Sequence, residues 1–255
     1  MRNVIFIHGM FQNAKSWDKW VDFFNQRGYH CIAPAWPLHE GDPLALKEKP
    51  PKGLGELSLE EVMEKMEHIV QSFDQPIVIG HSVGGLIVQL LLRRGMASIG
   101  VAINSVAPNG MLDLNWDFLK NATLIMNPLK GNDPFYMDAK TFHNIFANTL
   151  TEKEAEKAYL NYVTHDSRNV LRDCVGKAGE IDTSLPHKPL LLISGEKDHL
   201  IPTALIEKNF KAYTDKTSVI EMKEFSNRSH YICGEPNWEE VADYVYNWLE
   251  ELELS

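Results

Sequence analysis

Ser82 lies at the centre of a G-x-S-x-G pattern, between Gly80 and Gly84. An apolar run typical of a strand (77–79) comes directly before this pattern, and an apolar stretch typical of a helix (83–94) follows it. A tight turn from strand to helix strains the serine backbone and turns the hydroxyl out of the sheet, where it can attack a carbonyl carbon. The glycines let neighbouring backbones approach without a Cβ clash. An ordinary N-cap serine in a glycine-rich turn is the alternative, but the flanking strand and helix favour a nucleophile.

A serine nucleophile needs a base, and the base needs a carboxylate that orients it. Asp198 follows the apolar run 190–193, beyond the turn at Gly195. Glu196 is the competing carboxylate, but Asp198 is better placed because the chain needs two residues after the turn before a side chain can reach back. We therefore predict that Asp198 is the acid, with a solvated loop aspartate as the alternative.

The chain holds ten histidines, and their positions along the chain distinguish one of them as the base. His230 follows the run 218–222 and precedes the last helical stretch, so the order is serine, acid, histidine. His81 is adjacent to Ser82 but should project away from it, and His8 is more typical of a turn. The other seven lie off the strand ends or beside charged loops, where we expect surface or structural histidines.

The oxyanion of a tetrahedral intermediate needs two N–H donors close to the nucleophile. Val83, directly after Ser82, offers one backbone N–H. The loop after the first strand should offer the other from Met10, and Gly9 lets that loop turn towards the serine.

These residues together predict that Ser82, His230 and Asp198 cleave a carboxylic ester through an acyl-enzyme. We expect no metal and no cofactor, because His, Asp and Glu do not recur at ligand spacing and no glycine-rich phosphate loop opens a helix. The same triad could act on a lactone, thioester, amide or C–C bond, or transfer an acyl group. A catalytically silent ligand-binding or scaffold protein also stays open, since fold does not fix function.

Six short runs of the sequence predict strands. All but the last are apolar almost throughout, which is typical of parallel strands that are covered on both faces. Amphipathic helical stretches alternate with them, so the pattern predicts an α/β fold with an open parallel sheet and helices on both faces. The predicted strands are 4–7, 30–33, 77–79, 99–103, 190–193 and 218–222.

Capping signals mark the helices. Ser58 with Glu61, and Thr151 with Glu154, form capping boxes, and Gly28 stands where a helix-terminating glycine belongs. The helical stretches outside the middle of the chain are 17–27, 58–73, 83–94 and one that begins near residue 237.

Residues 109–186 interrupt the alternation, because they contain helix signals but no strand signal. A helical insertion between two parallel strands usually lies over the strand ends, so we expect 109–186 to form a cap on a core of 1–108 and 187–255. The loop 34–57 is also long, and the prolines within 49–53 exclude helix and central strand there. The helix candidates of the cap are 112–120, 139–146, 152–165 and 168–178.

Composition limits the partners and the compartment. The 255 residues carry a net charge of −10, which repels phosphate backbones, so we expect no nucleic-acid partner. The three cysteines have neither disulfide nor zinc spacing. The chain enters its first strand at once, without a signal-like segment, and has no apolar run of about 18 residues. We predict a cytoplasmic protein without a membrane span that acts on a small molecule; its oligomeric state stays open.

The sequence resembles α/β-hydrolase-fold serine hydrolases over its whole length, through the His8 loop, Ser82, the helical insertion, Asp198 and His230 in family order. It is similar to an esterase-like bacterial branch with a helical cap, through the segments 33–37 and 142–150. The resemblance implies the serine mechanism. We expect about six mostly parallel strands, without the family's usual two leading strands, because Met1 lies almost on the first predicted strand.

Single residues separate this chain from relatives with other chemistry. Dehalogenases and epoxide hydrolases of this fold carry an aspartate where this chain has Ser82. Hydroxynitrile lyases carry a lysine directly after the histidine, where this chain has Tyr231. The first difference argues against dehalogenase and epoxide hydrolase activity, and the second argues against lyase activity.

Substrate choice should depend on the cap, and a small, apolar substrate is expected. Trp36, Phe142 and Phe146 either line an apolar pocket or join the cap to the core. The sequence leaves both readings open, as it leaves the acyl and alcohol groups open.

Overall fold

Six parallel strands form one sheet in the computed structural model of the protein, which describes residues 2–111 and 116–254. The predicted number and direction of the strands are therefore confirmed. The last strand starts two residues later than predicted because Ser218 belongs to the preceding turn, where its hydroxyl donates to Asp215 and accepts the His187 N–H. The strands are β1 (Asn3–Ile7), β2 (His30–Ile32), β3 (Ile77–His81), β4 (Ile99–Ile103), β5 (Leu190–Gly195) and β6 (Ile220–Phe225).

The strand order β2-β1-β3-β4-β5-β6 brings the loops of interest to one edge of the sheet. The chain leaves β1 for β2 on one side and returns to β3 on the other, and open α/β sheets bind ligands beyond the carboxyl ends at such a reversal. The loops after β1 and β3, which carry Met10 and Ser82, are consequently neighbours. The loops after β5 and β6, which carry Asp198 and His230, lie further along the same edge.

Helices cover both faces of the sheet, as the apolar strands predicted. Alternate residues of β1 point to opposite faces: Val4 and Phe6 pack in one buried cluster, and Ile5 and Ile7 in the other. The helices are α1 (Asp18–Asn25), α2 (Pro43–Glu48), α3 (Leu59–Val70), α4 (Val83–Arg93), α5 (Trp116–Met126), α6 (Ala139–Thr141), α7 (Glu152–Tyr162), α8 (Arg168–Cys174), α9 (Thr203–Ala212) and α10 (Glu239–Leu254). The α1 and α10 side chains pack on the Val4 side, and those of α3, α4 and α9 on the Ile5 side.

Both predicted capping boxes are present. The Ser58 hydroxyl accepts the N–H of Glu61, whose carboxylate accepts the N–H of Ser58. Thr151 and Glu154 make the same reciprocal pair at the start of α7. These contacts satisfy N–H groups that the first helical turn leaves without acceptors.

The helices between β4 and β5 differ from the prediction at their ends. The first candidate, 112–120, lies partly outside the described residues, and α5 continues six residues beyond its predicted end, to Met126. The second candidate, 139–146, consists of α6 followed by a π-helix at Phe142–Phe146. Helix α7 stops at Tyr162 because the Thr164 N–H donates to the carbonyl of Phe11 instead of continuing the helix.

Helix α2 was not predicted from the long loop between β2 and α3. Asp42 caps it by accepting the N–H groups of Leu44 and Ala45, and Pro43 occupies its first turn. Aspartate followed by proline is a helix-start signal. Aspartate is a preferred N-cap residue, and proline fits the first helical position because an N–H there would have no acceptor within the helix.

Candidate active site

Ser82 occupies a strained turn between β3 and α4. Its backbone angles are φ 57° and ψ −119°, a combination that non-glycine residues seldom adopt and that costs about 1–3 kcal/mol. The Ser82 N–H donates to the carbonyl of Ile103 at the end of β4, at 2.9 Å. The strand-turn-helix context predicted for the G-x-S-x-G pattern is therefore present.

Close backbone approach explains the glycines around Ser82. A Cβ on Gly80 would lie 2.2 Å from the carbonyl oxygen of Gly84, and a Cβ on Gly84 would lie 2.2 Å from that of Ile7. A Cβ on Gly9 would lie 2.7 Å from the Cβ of Ser82. Any larger residue at these positions would push β1, the turn and α4 apart.

Asp198 and His230 form a hydrogen-bonded pair in which both side chains are buried. The Nδ1 atom of His230 lies 2.7 Å from Oδ2 of Asp198. The second carboxylate oxygen, Oδ1, accepts the N–H groups of Leu200 and Ile201, both at 2.7 Å. Backbone N–H groups can only donate, so these two hydrogen bonds require an oxygen at the Oδ1 position and hold the carboxylate in place. The carboxylate in turn favours a proton on Nδ1, which leaves Nε2 as an acceptor.

Glu196, the competing carboxylate, lies outside this pair. Its side chain is 38% exposed, and its Oε2 atom accepts the N–H of Asn227 at 2.9 Å. This backbone hydrogen bond, with the neighbouring ammonium of Lys197, lowers the pKa of Glu196.

His81, the residue before Ser82, forms a hydrogen bond with the backbone of His230 in the Asp198–His230 pair. The Nε2 atom of His81 lies 2.7 Å from the carbonyl oxygen of His230, to which it donates. The ring of Phe146 packs edge-on against His230 at 4.6 Å. Within the described residues, no hydrogen bond joins the Ser82 hydroxyl to His230, whose Nε2 is buried without a partner. Such bonds are often long before substrate binds, so the free Nε2 is an available acceptor.

The loop after β1 brings Met10 to the same cavity wall as Ser82 and Val83. The Val83 N–H is the first of α4, and helix geometry gives it no acceptor within the helix. The Met10 N–H likewise has no acceptor among residues 2–111 and 116–254. Both predicted donors therefore have free N–H groups beside the serine.

His8 and His81 are buried beside the site and are neutral. Burial lowers the pKa of each imidazole well below its ordinary value, and a neighbouring histidine lowers it further. His8 accepts the Trp36 N–H and donates to the carbonyl of Gly9, so it has the turn-stabilising role expected of it.

An apolar cavity opens onto Ser82. The space between its lining atoms is about 600 Å³, a figure that includes open solvent at its mouth. Among the side chains that the structure describes, every lining group other than Ser82 is apolar. From residues 1–108 and 187–255 the lining includes Met10, Phe11, Val83, Val106, Ala107, Leu200, Ile201 and Leu205, and from residues 109–186 it includes Met111, Ala122, Ile125, Met126, Phe146, Leu171 and Val175.

The three aromatic candidates for the pocket lie in different places. Phe146 lines the cavity. Phe142 is buried one layer behind it, with its ring stacked on Phe146 at 5.4 Å. Trp36 is fully buried, away from the cavity, and stacks on His8 at 4.6 Å. Of these three side chains, Phe146 alone lines the cavity, whereas Phe142 and Trp36 pack against other buried side chains.

A sequence model of the alpha/beta hydrolase family matches residues 4–244. The chain belongs to the α/β-hydrolase family. The match includes Met10, Ser82, Val83, Asp198 and His230, and it confirms the resemblance inferred from the sequence. No curated protein matches the chain.

Solved structures share the fold of this α/β hydrolase over nearly its whole length. A monoacylglycerol lipase from Paleococcus ferrophilus is 22% identical, with a TM-score of 0.70 and coverage of 97% of this chain and 93% of the lipase. The methylesterase MES16 from Arabidopsis is 12% identical, with a TM-score of 0.69 and coverage of 98% and 99%. Methylketone synthase I from tomato is 11% identical, with a TM-score of 0.72 and coverage of 98% and 97%. At these identities the similarity shows the fold alone.

Asn104 is a site residue of this α/β hydrolase that the sequence analysis missed. It follows β4, is fully buried and has a φ of 43°. Its Oδ1 atom accepts the Gly195 N–H at 2.8 Å, and its Nδ2 atom donates to the carbonyl of Ser229 at 3.1 Å. It therefore ties the loop that carries Asp198 to the loop that carries His230. The signal that could have identified Asn104 in the sequence is an amide side chain directly after a strand that is buried on both faces.

Other features bear on cofactors and membranes. Nowhere in the described residues do three or more His, Cys, Asp or Glu side chains stand close enough together to hold a metal ion. The same residues include no helix with the length and apolarity to cross a bilayer. Cys31, Cys174 and Cys233 are buried, free thiols.

Proposed function

We propose that this α/β hydrolase is a serine esterase that cleaves a carboxylic ester of a small apolar substrate through an acyl-enzyme. One observation carries the proposal. The buried Asp198–His230 pair leaves Nε2 of His230 without a partner among the described residues, and Ser82, whose neighbour His81 donates to the His230 carbonyl, stands in a strained turn. A serine hydroxyl becomes a nucleophile when a positioned imidazole accepts its proton, and a carboxylate keeps that imidazole in the required tautomer.

The proposed reaction has two halves. The Ser82 Oγ bonds to the ester carbonyl carbon while its proton moves to Nε2 of His230, and the carbonyl electron pair moves onto oxygen. The tetrahedral intermediate then collapses, the C–O bond breaks, and the alcohol leaves with the proton from Nε2. Water attacks the acyl-enzyme in the same way, releases the carboxylic acid and restores the Ser82 hydroxyl.

The N–H groups of Met10 and Val83 are the proposed oxyanion donors. Within the described residues neither N–H has an acceptor, and both belong to residues that line the cavity with Ser82. Donors fixed before the reaction stabilise the negative charge that develops on the carbonyl oxygen without having to reorganise.

The proposed division into domains follows the walls of the cavity. Residues 1–108 and 187–255 would form the core that holds Ser82, Asp198 and His230. Residues 109–186 would form the cap, whose α5, α8 and Phe146 line the cavity with the core. Substrate access and choice would then depend on the cap.

The cavity lining supports a neutral, apolar acyl or alcohol group. A charged substrate would lose its hydration there without gaining a partner, because none of the described lining side chains carries a charge. Ser82 and the backbone donors supply the polar contacts at the ester itself.

Reaction with a fluorophosphonate probe tests the proposal directly. The probe phosphonylates an activated serine, so wild-type protein should gain the mass of the adduct on the peptide that contains Ser82. A panel of p-nitrophenyl esters and lactones then measures kcat/KM. A silent binding or scaffold protein has no reason to activate Ser82, so an unlabelled, inactive wild type would contradict the esterase proposal.

Filling the cavity should change the preference for acyl length. Ala122 lies on α5 with its side chain buried against the cavity. We expect Ala122→Leu to lower kcat/KM for p-nitrophenyl hexanoate by about 10–100-fold, because the added isopropyl group takes the space of the acyl chain. The acetate ester should be affected much less.

The matched control is Ala139→Leu, which adds the same group on an exposed position of α6. It should leave both esters unchanged. An equal loss on acetate and hexanoate in Ala122→Leu would mean that the cavity does not bind the acyl chain.

A further inference from the structure

A second buried histidine–carboxylate pair lies outside the proposed triad. The Nε2 atom of His39 is 3.2 Å from Oδ2 of Asp166, and the side chains are 1% and 0% exposed. The other ring nitrogen, Nδ1, lies 2.9 Å from the carbonyl oxygen of Pro37. Both nitrogens face acceptors, so the geometry requires a proton on each and His39 is an imidazolium. Burial opposes this charge, but the Asp166 carboxylate, the Pro37 carbonyl and Glu40 together outweigh it and raise the pKa of His39.

Asp166 holds the backbone of Phe11 in the loop after β1. The Phe11 N–H donates to Oδ2 of Asp166 at 2.9 Å, and the Phe11 carbonyl accepts the Thr164 N–H, also at 2.9 Å. Phe11 has a φ of 64°, which is unfavourable for a residue with a side chain. Contacts from 164–166 on both sides of this residue therefore hold a backbone conformation that the free loop would not keep.

Asp166 is itself fixed by the segments around it. Its Oδ1 atom accepts the Ser167 N–H at 2.7 Å, and its backbone forms two hydrogen bonds with Phe135. The ring of Phe135 packs against that of Phe11 at 5.4 Å. Contacts with Ser167 and Phe135, which lie outside the loop after β1, thus fix the position of Asp166.

Phe11 directly follows Met10, the proposed oxyanion donor, and the two residues share a peptide unit. We infer that Asp166, held by His39, is a positioning residue that fixes the Phe11 backbone and thereby aims the Met10 N–H at the oxyanion. The inference rests on the proposed esterase function. It assigns to the segment between β4 and β5 a part in transition-state stabilisation in addition to lining the cavity.

Stability alone is a weak reason for such a pair. Replacing a buried ion pair with apolar residues of similar volume is often neutral or stabilising, because charges lose hydration on burial. An ionised carboxylate, however, accepts the Phe11 N–H and the His39 N–H at one oxygen, which an apolar side chain cannot do. The pair therefore supplies a fixed acceptor where the loop needs one.

Replacing Asp166 with alanine tests the inference. We expect Asp166→Ala to lower kcat by about 10²-fold, the loss typical of one misplaced oxyanion donor, with KM nearly unchanged. The affinity for an alkyl trifluoromethyl ketone should fall by the same factor, because its serine adduct carries an oxyanion. Asp166→Asn keeps one oxygen acceptor, and His39→Gln keeps the carboxylate, so both should retain more activity than Asp166→Ala.

Ser167→Ala is the matched control. It removes the hydrogen bonds of the Ser167 hydroxyl, which donates to the carbonyl of Gly55 and accepts the Asn169 N–H, but it keeps the Ser167 N–H that Asp166 accepts and does not touch Phe11. It should lower the melting temperature but leave kcat and inhibitor affinity at the wild-type values. If Asp166→Ala did not fold, the same comparison would use Asp166→Asn and His39→Gln.

Two outcomes separate this inference from the proposed function. Wild-type protein that takes up no fluorophosphonate and hydrolyses no ester would contradict the esterase itself. Wild-type protein that is labelled and active, with kcat and inhibitor affinity unchanged in the Asp166 and His39 variants, would contradict only the positioning role.

Discussion

Ser82→Ala should lower kcat for ester hydrolysis by about 10⁵–10⁶-fold, as expected when the nucleophile of a serine hydrolase is removed. The residual rate would come from the oxyanion donors and the cavity, which the substitution leaves in place. No hydrogen bond of the Ser82 hydroxyl holds the fold together within the described part of the chain, so the variant should keep its secondary structure. Steady-state hydrolysis of p-nitrophenyl butyrate and circular dichroism measure the two effects.

Ser105→Ala is the control for loss of a buried serine hydroxyl at the end of a strand. Ser105 directly follows Asn104, and its hydroxyl donates to the Val106 carbonyl and accepts from the side chain of Gln89. Its removal should affect stability more than kcat. A Ser82→Ala preparation free of other esterases that kept kcat within tenfold of wild type would exclude Ser82 as the nucleophile.

The fold was predictable because burial on both faces leaves a direct trace in the sequence. Five strands lie in apolar runs and begin within one residue of the predicted start, whereas β6, whose residues are mostly half-exposed or exposed, begins two residues later than predicted. Helix ends were predictable where a local capping box determines them, as at Ser58 and Thr151. The end of α7 depends on a contact between Thr164 and Phe11, more than 150 positions apart, which no local pattern contains.

The candidate site likewise contains residues that local sequence patterns predict and residues that depend on contacts distant in sequence. The order of serine, acid and histidine along the chain, together with the strand ends, led to the prediction of Ser82, Asp198 and His230 as a triad, and the structure brings Asp198 and His230 into hydrogen-bond contact. Asn104 and Asp166 form hydrogen bonds with backbone groups that are distant in sequence, so their residue types alone reveal no partner. Trp36 and Phe142 illustrate the reverse problem: an aromatic side chain is suited both to a pocket wall and to the packing behind it.

The second large expected effect is a loss of kcat when the Asp198 carboxylate is replaced. Asp198→Asn should lower kcat by about 10⁴-fold through the histidine tautomer. The N–H groups of Leu200 and Ile201 require an oxygen at the Oδ1 position, so the new amide nitrogen must face His230. An amide nitrogen can only donate there, which forces Nδ1 to become the acceptor and places the proton on Nε2. A protonated Nε2 cannot accept the Ser82 proton.

Glu196→Gln is the matched comparison for Asp198→Asn, because it also exchanges a carboxylate for an amide, two residues earlier in the same loop. Its oxygen can still accept the Asn227 N–H, and Glu196 has no contact with His230 in the described structure. We therefore expect Glu196→Gln to keep kcat within about tenfold of wild type, since exposed substitutions away from reacting groups have small effects. Steady-state kcat for the two variants on one ester decides between the carboxylates. A larger loss in Glu196→Gln than in Asp198→Asn would assign the acid to Glu196 and remove Asp198 from the proposed triad.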